Sequence, residues 1–303
     1  MMPLMRIIVV NDKKQGVTAV KRIALINDLS GFGKCSLTAA IPVISVMGLQ
    51  ACPMPTAVLS AQTGFESYFY DDYTDRMNLI AEQWAKMQVS FAGICSGYLG
   101  SAGQIENLLH FLEKFHSPDT IFLADPVMGD NGRCIKSFSQ ELLLTMQELV
   151  KRADVITPNL TELCLLAGLN YDSLHDHSAD ADYLSRVAET ARKLFTGADR
   201  LQTIVVTGIV IQKAESEHIG NLIVTVSDDR YEYFETVYNG QSFSGTGDLF
   251  SSVIIGSLVN GQSPAEAVQK AMNFLKPAIE EASRERVPRN HGVYFEKYLS
   301  MLL

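Results

Sequence analysis

Ser244-Gly245-Thr246-Gly247-Asp248-Leu249-Phe250 places a carboxylate in the first turn of a helix, directly behind two glycines. Phe250, Val253, Ile254 and Leu258 recur downstream at helical spacing and Asn260-Gly261 supplies a stop, so the spacing predicts a helix beginning near Gly247. The first N–H groups of such a helix have no partner inside it. Glycines let the backbone wrap those groups around an anion, and the helix dipole favours the negative charge. Phosphate oxygens fit there, and Asp248 would stand beside a transferring phosphate, placed to accept the proton of an attacking hydroxyl. Read alone, the tetrapeptide also fits an ordinary glycine turn with Asp248 as an N-terminal charge. Other segments must decide.

Working outward from this turn, short β-rich runs alternate with amphipathic helices from Lys21 onward. Residues 22–27 predict a strand, 36–47 a helix, and 51–60 a strand whose two prolines mark an edge or a bend. A helix over 74–88 and a buried strand over 91–96 follow. Gly97-Tyr98-Leu99-Gly100 then leads into a helix opened by Ser101 and Gln104 at capping-box spacing, with Ile105, Leu108, Leu109, Leu112 and Phe115 as its apolar stripe. Next come a strand over 120–125, a helix over 140–151, a strand over 154–157 and a short helix over 159–167 closed by Gly168. A long helix to about Phe195 and a strand through Val205, Val206 and Thr207 follow. Residues 217–226 and 230–237 read as a β-hairpin turning at Asp228-Asp229. After the helix of Asp248, a last one opens at Ser263-Pro264-Ala265-Glu266, where cap, first-turn proline and capping-box glutamate coincide. The alternation implies an α/β fold of three layers, a mostly parallel central sheet with helices on both faces and a small β-hairpin insertion. One domain is expected over 21–303, with 1–20 as an N-terminal extension of no assigned role.

Every polar motif of interest falls where a strand is expected to end. Asp125-Pro126-Val127-Met128-Gly129-Asp130 follows one strand, Thr157-Pro158-Asn159-Leu160-Thr161-Glu162 the next, Thr207-Gly208 the third, and the glycine turn follows the hairpin. In a parallel sheet these ends share one edge, where carboxylates, hydroxyls and an anion cradle would converge. Each piece also has a plainer reading: Glu162 closes a capping box on Asn159, and Asp130-Asn131-Gly132 is an ordinary turn sequence. The two readings are compatible, because a carboxylate oriented by a cap can still face a metal ion held by one or two carboxylates, phosphate oxygens and water.

A formal net charge of −9 speaks against nucleic acid, which wants a basic face. It also repels free ATP at long range, so an anionic substrate has to be held by local devices, a metal ion and backbone N–H groups. No run approaches the roughly 18 apolar residues of a membrane span. The apolar opening is short and lacks a basic leader, which predicts a cytoplasmic protein with no membrane partner. Five widely spaced cysteines with no CxxC pair predict reduced thiols over disulfides or zinc.

Asp-Pro-Val-Met-Gly-Asp, Thr-Pro-Asn-x-x-Glu and Gly-Thr-Gly-Asp-x-Phe, in this order and spacing, resemble the ribokinase-like small-molecule kinases, specifically the pyridoxal/pyridoxamine kinase branch. The resemblance runs from about Arg22 to Glu281, and Asn27 to Ser36, Thr56 to Gly64 and Ser96 to Gly100 are similar to the vitamin-binding segments of bacterial members. It implies an ATP-dependent kinase acting on the 5-hydroxymethyl group of pyridoxal, pyridoxamine or pyridoxine. Asp248 would be its base and Gly245, Thr246 and Gly247 its anion hole. Asp125, Thr157 and Glu162 would organise Mg2+ and a monovalent cation, K+; Asn159, Thr207, Gly208 and Asp130 would line ATP. Asp28, Thr63 and Tyr98 would contact the pyridine ring beneath a flap over 60–73. The aromatic residues of that flap, Phe65, Tyr68, Phe69, Tyr70 and Tyr73, fit a hydrophobic staple as well as ring contact. A homodimer is implied too. The chain departs from better-known pyridoxal kinases at Asn27-Asp28-Leu29, where they carry a Gln-Ser-His pattern; Asp28-x-Ser30-Gly31 is similar instead to hydroxymethylpyrimidine kinases of thiamin synthesis. A non-catalytic vitamin binder of the same fold is a third reading, and the intact set Asp125, Glu162, Gly247 and Asp248 speaks against it.

Overall fold

The first strand, β1 (Arg22–Ser30), shows how one sheet builds two cores. Its side chains alternate, so Ile23 and Leu25 join one buried cluster while Ala24 and Ile26 join the other. The structure, a computed structural model, describes residues 20–175 and 181–303. In chain order, α1 (Ser36–Val46), β2 (Gln50–Leu59), β3 (Tyr70–Asp72), α2 (Thr74–Lys86), β4 (Gly93–Ser96), α3 (Ala102–Phe115) and β5 (Ile121–Ala124) come first. A small hairpin of β6 (Gly129–Asp130) and β7 (Arg133–Cys134) precedes α4 (Gln140–Arg152), β8 (Val155–Ile156), α5 (Leu160–Ala167), α6 (Tyr171–Leu174) and α7 (Ala181–Lys193). The chain then forms β9 (Thr203–Lys213), β10 (Ser216–Thr225), β11 (Tyr231–Val237), α8 (Thr246–Val259) and α9 (Pro264–Arg284).

The nine-stranded sheet has the order β11-β10-β9-β8-β5-β4-β1-β2-β3. Strands β2, β1, β4, β5, β8 and β9 run parallel, and antiparallel strands flank them on both sides. Helices α2, α3, α4, α5 and α7 cover one face, α1, α8 and α9 the other. Apolar on nearly every side, α8 lies between the sheet and the two helices beside it, as such a helix must.

The prolines of β2 sit where the sequence places them. Strand β3 pairs only with Ala57–Leu59, so Pro53 and Pro55 lie on a stretch of β2 with an open outer edge. Gln50 N donates inward to Lys21 O at 2.9 Å, and by alternation positions 53 and 55 face outward, where a missing N–H costs nothing. The Asn131-Gly132 turn joins β6 to β7 with φ of 50° and 72°, the two positive values that a two-residue hairpin turn requires.

Two expectations need correction. The strand through Thr207 does not end there: β9 continues to Lys213 and pairs with β10, so the expected hairpin is one part of a three-stranded antiparallel extension of the main sheet. The register slips where Ile209 and Val206 face Gly220 and Leu222, which makes Thr207-Gly208 a β-bulge with Gly208 at φ 69°. Ser101 caps α3 as expected, but Gln104 does not close the box; its Oε1 accepts from Gly100 N and its amide donates to Thr56 O. The helix expected to reach about Phe195 is α7, which ends at Lys193; residues 176–180 ahead of it, and most of the extension expected over 1–20, lie outside the described residues.

Candidate active site

The N-terminus of α8 is shaped by Gly245, the N-cap, at φ 85°. A side chain there would collide with the carbonyl oxygen of Lys34, so the glycine turn packs directly on the β1–α1 loop. Gly247 faces open space, and the nearest atom to a Cβ built on it is Asp125 Oδ2, at 4.0 Å. The carboxylate after β5 and the helix N-terminus therefore adjoin one small hollow.

Asp248, in the first turn of α8, accepts from Asn27 Nδ2 at 2.9 Å. The sequence places Asn27 at the start of a segment similar to vitamin-binding ones but gives it no role of its own. Its Oδ1 accepts from the backbone N–H groups of Asp28 and Tyr98, both at 2.9 Å, which leaves its amino group only the Asp248 side to serve. A side chain on Gly97 would strike this amide, so the Ser96-Gly97-Tyr98 turn needs its glycine. Burial pushes the Asp248 carboxyl up to about 6, with the charge of Asp28 adding to it and the Ser36 N–H and Asn27 pulling it back. Asp125 is pushed up to about 7 by burial and then by the charge of Asp248. A base poised near neutrality suits proton abstraction from an alcohol.

On the side of β1 and β2, Asp28 is buried and receives the hydroxyls of Ser30 and Ser36, each at 2.6 Å. Desolvation raises its carboxyl all the same. It lies where the β1–β2 register slips, between Asn27 and Leu29. Tyr98 is half-buried, with its hydroxyl 3.2 Å from Ser137 Oγ. Thr63 lies on an exposed loop. That loop is tied to the glycine turn by Gln62, whose Nε2 donates to Ser244 Oγ at 3.2 Å and Asn290 O at 3.1 Å, while Asn290 Nδ2 donates to Gly64 O at 2.6 Å. Phe65 packs against Phe32 and His291 and Phe69 is exposed, so these two do not form a staple over the core.

On the side of β8 and β9, Glu162 does close the capping box of α5 with Asn159. Its Oε2 accepts from Asn159 N at 2.8 Å and its Oε1 from Met128 N at 3.1 Å, so the cap also anchors the Asp125-Pro126-Val127-Met128 segment. Burial, and then the charge of Asp125, hold its carboxyl well above the usual range. Thr157 Oγ1 is buried with no hydrogen-bond partner. Asn159 is committed to structure through Glu162 and Gly129 O. Thr207 bridges to Asn159, Gly208 opens to solvent, and Asp130 is an exposed rim residue paired with Arg289.

Asp125, Thr157, Glu162, Gly247 and Asp248 thus come together, with Asn159 and Thr207 behind them. Asp28 and Tyr98 join from the other side through Asn27. Among the described residues no three His, Cys, Asp or Glu side chains form a ready-made metal cage. Two carboxylates and an unpartnered hydroxyl fit instead a hard cation that completes its shell with phosphate oxygens and water. The nearby Cys95 thiol is pushed up by burial and by Asp125 and Asp248, which favours its neutral form.

The family model described as phosphomethylpyrimidine kinase matches residues 33–293. A structure named as a phosphomethylpyrimidine kinase from Bacteroides thetaiotaomicron, in a form with pyridoxal, is 36% identical, with a TM-score of 0.84 and coverage of 93% of this chain and 96% of that one. Pyridoxal kinase from Lactobacillus plantarum is 27% identical, with a TM-score of 0.80 and coverage of 94% and 97%. A curated pyridoxal kinase from Aliivibrio fischeri is 26% identical over 291 residues, 91% of this chain and 92% of the relative.

Proposed function

This chain belongs to the phosphomethylpyrimidine kinase family and is a kinase, and from that premise we propose that it transfers the γ-phosphoryl group of ATP to the 5-hydroxymethyl group of pyridoxal, pyridoxamine or pyridoxine. The observation that carries this reading is Asp248, held by Asn27 on the Tyr98 side and adjoining the Gly247–Asp125 hollow on the other. An alcohol seated against Asp28 and Tyr98 would meet the base at the point where a phosphate meets the helix N-terminus.

In this reading Asp248 takes the alcohol proton while the N–H groups of Thr246, Gly247 and Asp248 face the charge that builds on the moving phosphoryl. Asn27, by donating to Oδ1 of Asp248, helps to orient this carboxylate toward the substrate. Asp125, Thr157 and Glu162 would hold magnesium, which when bound neutralises charge on the outer phosphates. Asn159, Thr207, Gly208 and Asp130 would flank the nucleotide. The family resemblance adds K+ and a homodimer to the reading.

Hydroxymethylpyrimidine kinase is the second reading, favoured by Asp28-Leu29-Ser30-Gly31. Against it, pyridoxal carries a ring hydroxyl and a carbonyl, and a site built to hydrogen-bond such groups strongly rejects an analogue that lacks them. ATP consumption measured with each vitamer and with hydroxymethylpyrimidine should give the highest kcat/KM for pyridoxal or pyridoxamine. A higher value for the pyrimidine moves the protein to thiamin synthesis, and no turnover of any of them overturns the kinase assignment for this site.

A further inference from the structure

The site is crowded with carboxyl groups. Asp28, Asp125, Glu162 and Asp248 lie within it and Asp130 stands on its rim, in a chain whose formal net charge is −9. A nucleoside triphosphate brings several more negative charges, which a metal ion and backbone N–H groups offset in part. Lys34, although its carbonyl touches the glycine turn, has its ammonium committed elsewhere, 2.8 Å from Glu296 and above the Tyr294 ring.

Arg289 is placed differently. It follows α9 and opens a short 3-10 turn, Arg289–His291. Its carbonyl oxygen accepts from Ser244 N at 3.1 Å, which fastens its backbone to the residue just before the glycine turn. Its Nε donates to Ser242 Oγ at 3.1 Å, and Nη2 reaches Asp130 Oδ2 at 3.5 Å. The guanidinium thus bridges the loop that leads into α8 and the tip of the β6–β7 hairpin. Its pair with Asp130 is long, and both side chains are more than half exposed, 58% and 54%. An exposed pair of that kind contributes little and is readily exchanged for a better anion.

We propose that Arg289 binds the phosphate chain of the nucleotide, giving up Asp130 for phosphate oxygens when ATP enters. The chemistry matches the residue: a planar fork of N–H donors recognises phosphate in a two-pronged manner, and Arg289 is already steered by Ser242 and by its backbone bond to Ser244. Asp130 then acts as a counter-ion that holds the guanidinium ready and limits repulsion on the rim. This inference rests on the reading of the site as an ATP site.

The test is calorimetric binding of adenosine, ADP and ATP, with magnesium, to the wild type and to Arg289→Gln and Arg289→Lys, with melting temperature as the check on folding. Arg289→Gln should bind ADP and ATP about 10-fold or more weakly, the range for losing a hydrogen bond to a charged group, and adenosine as the wild type does. Arg289→Lys should recover part of the loss, and KM should rise for ATP but not for the vitamer. Unchanged ADP and ATP binding in the glutamine variant overturns the assignment. So does a loss that is equal for adenosine, which would make Arg289 a structural brace. A wild type that binds none of the three overturns the ATP reading itself, a different outcome from the first two.

Discussion

Asp125→Asn should make the ligand-free protein more stable at pH 8 while lowering its turnover sharply. The Asp125 carboxyl is pushed from an ordinary 3.8 up to about 7 by burial and by Asp248. Across that window the folded chain binds more protons than the unfolded one, so stability falls as pH rises through it, and the whole penalty persists above about pH 7. Moving a carboxyl that far corresponds to at most ~4 kcal/mol. The amide recovers only part of this. It must itself be desolvated, its amino group needs acceptors, and the share due to Asp248 belongs to the pair of carboxylates rather than to one of them. A net gain of about 1–2 kcal/mol, or roughly 2–4 °C in melting temperature for a chain of this size, is the expectation. Melting curves of both proteins without nucleotide or metal, at pH 8 and pH 5, measure it. The gap should be present at pH 8 and shrink at pH 5, where the folded wild type already carries the proton. A variant less stable than the wild type at pH 8, or a gap indifferent to pH, would show that Asp125 is well satisfied as a carboxylate and would refute the reasoning.

Two further outcomes follow from α8. Asp248→Asn should keep the fold and nucleotide affinity yet lower kcat about 100-fold to 10,000-fold, and the wild-type rate should fall as pH drops through about 6, where the base becomes protonated; near-normal turnover in the variant would remove Asp248 from the base role. Gly245→Ala forces a left-handed backbone at φ 85° on an alanine, a cost of about 1–2 kcal/mol before any clash, and its methyl group displaces Lys34 and the β1–α1 loop. Its melting temperature should drop and both substrate KM values should rise, whereas unchanged KM values would mean that the loop and the turn act independently.

What was legible in the sequence was local. The Asn159–Glu162 box, the Ser263–Glu266 box and the Asn131-Gly132 turn are decided within four residues, and each forms as its residues predict. The alternation of strands and helices then fixed one site edge for Asp125, Thr157 and Asp248. The bulge at Thr207-Gly208 was not legible, because a strand that slips register and continues carries the same β-rich pattern as one that stops, and only pairing with β10 distinguishes them. Nor were Asn27 and Arg289. Asn27 meets Asp248 across 221 residues and Arg289 meets Asp130 across 159, and an asparagine at a strand end or an arginine after a helix has no periodicity to betray it.

Glu162 shows why such a site resists a choice between structural and functional readings. Both its oxygens accept backbone N–H groups, the arrangement that suits the charged form, yet burial and Asp125 hold its carboxyl well above the usual range. The cap that orders α5 therefore also fixes a carboxylate beside Asp125 at a cost in the empty site. A divalent cation held there would relieve that cost, because it would restore the charged form of both groups at once. The carboxylates that destabilise the free protein would then be the ones that make it bind metal with nucleotide.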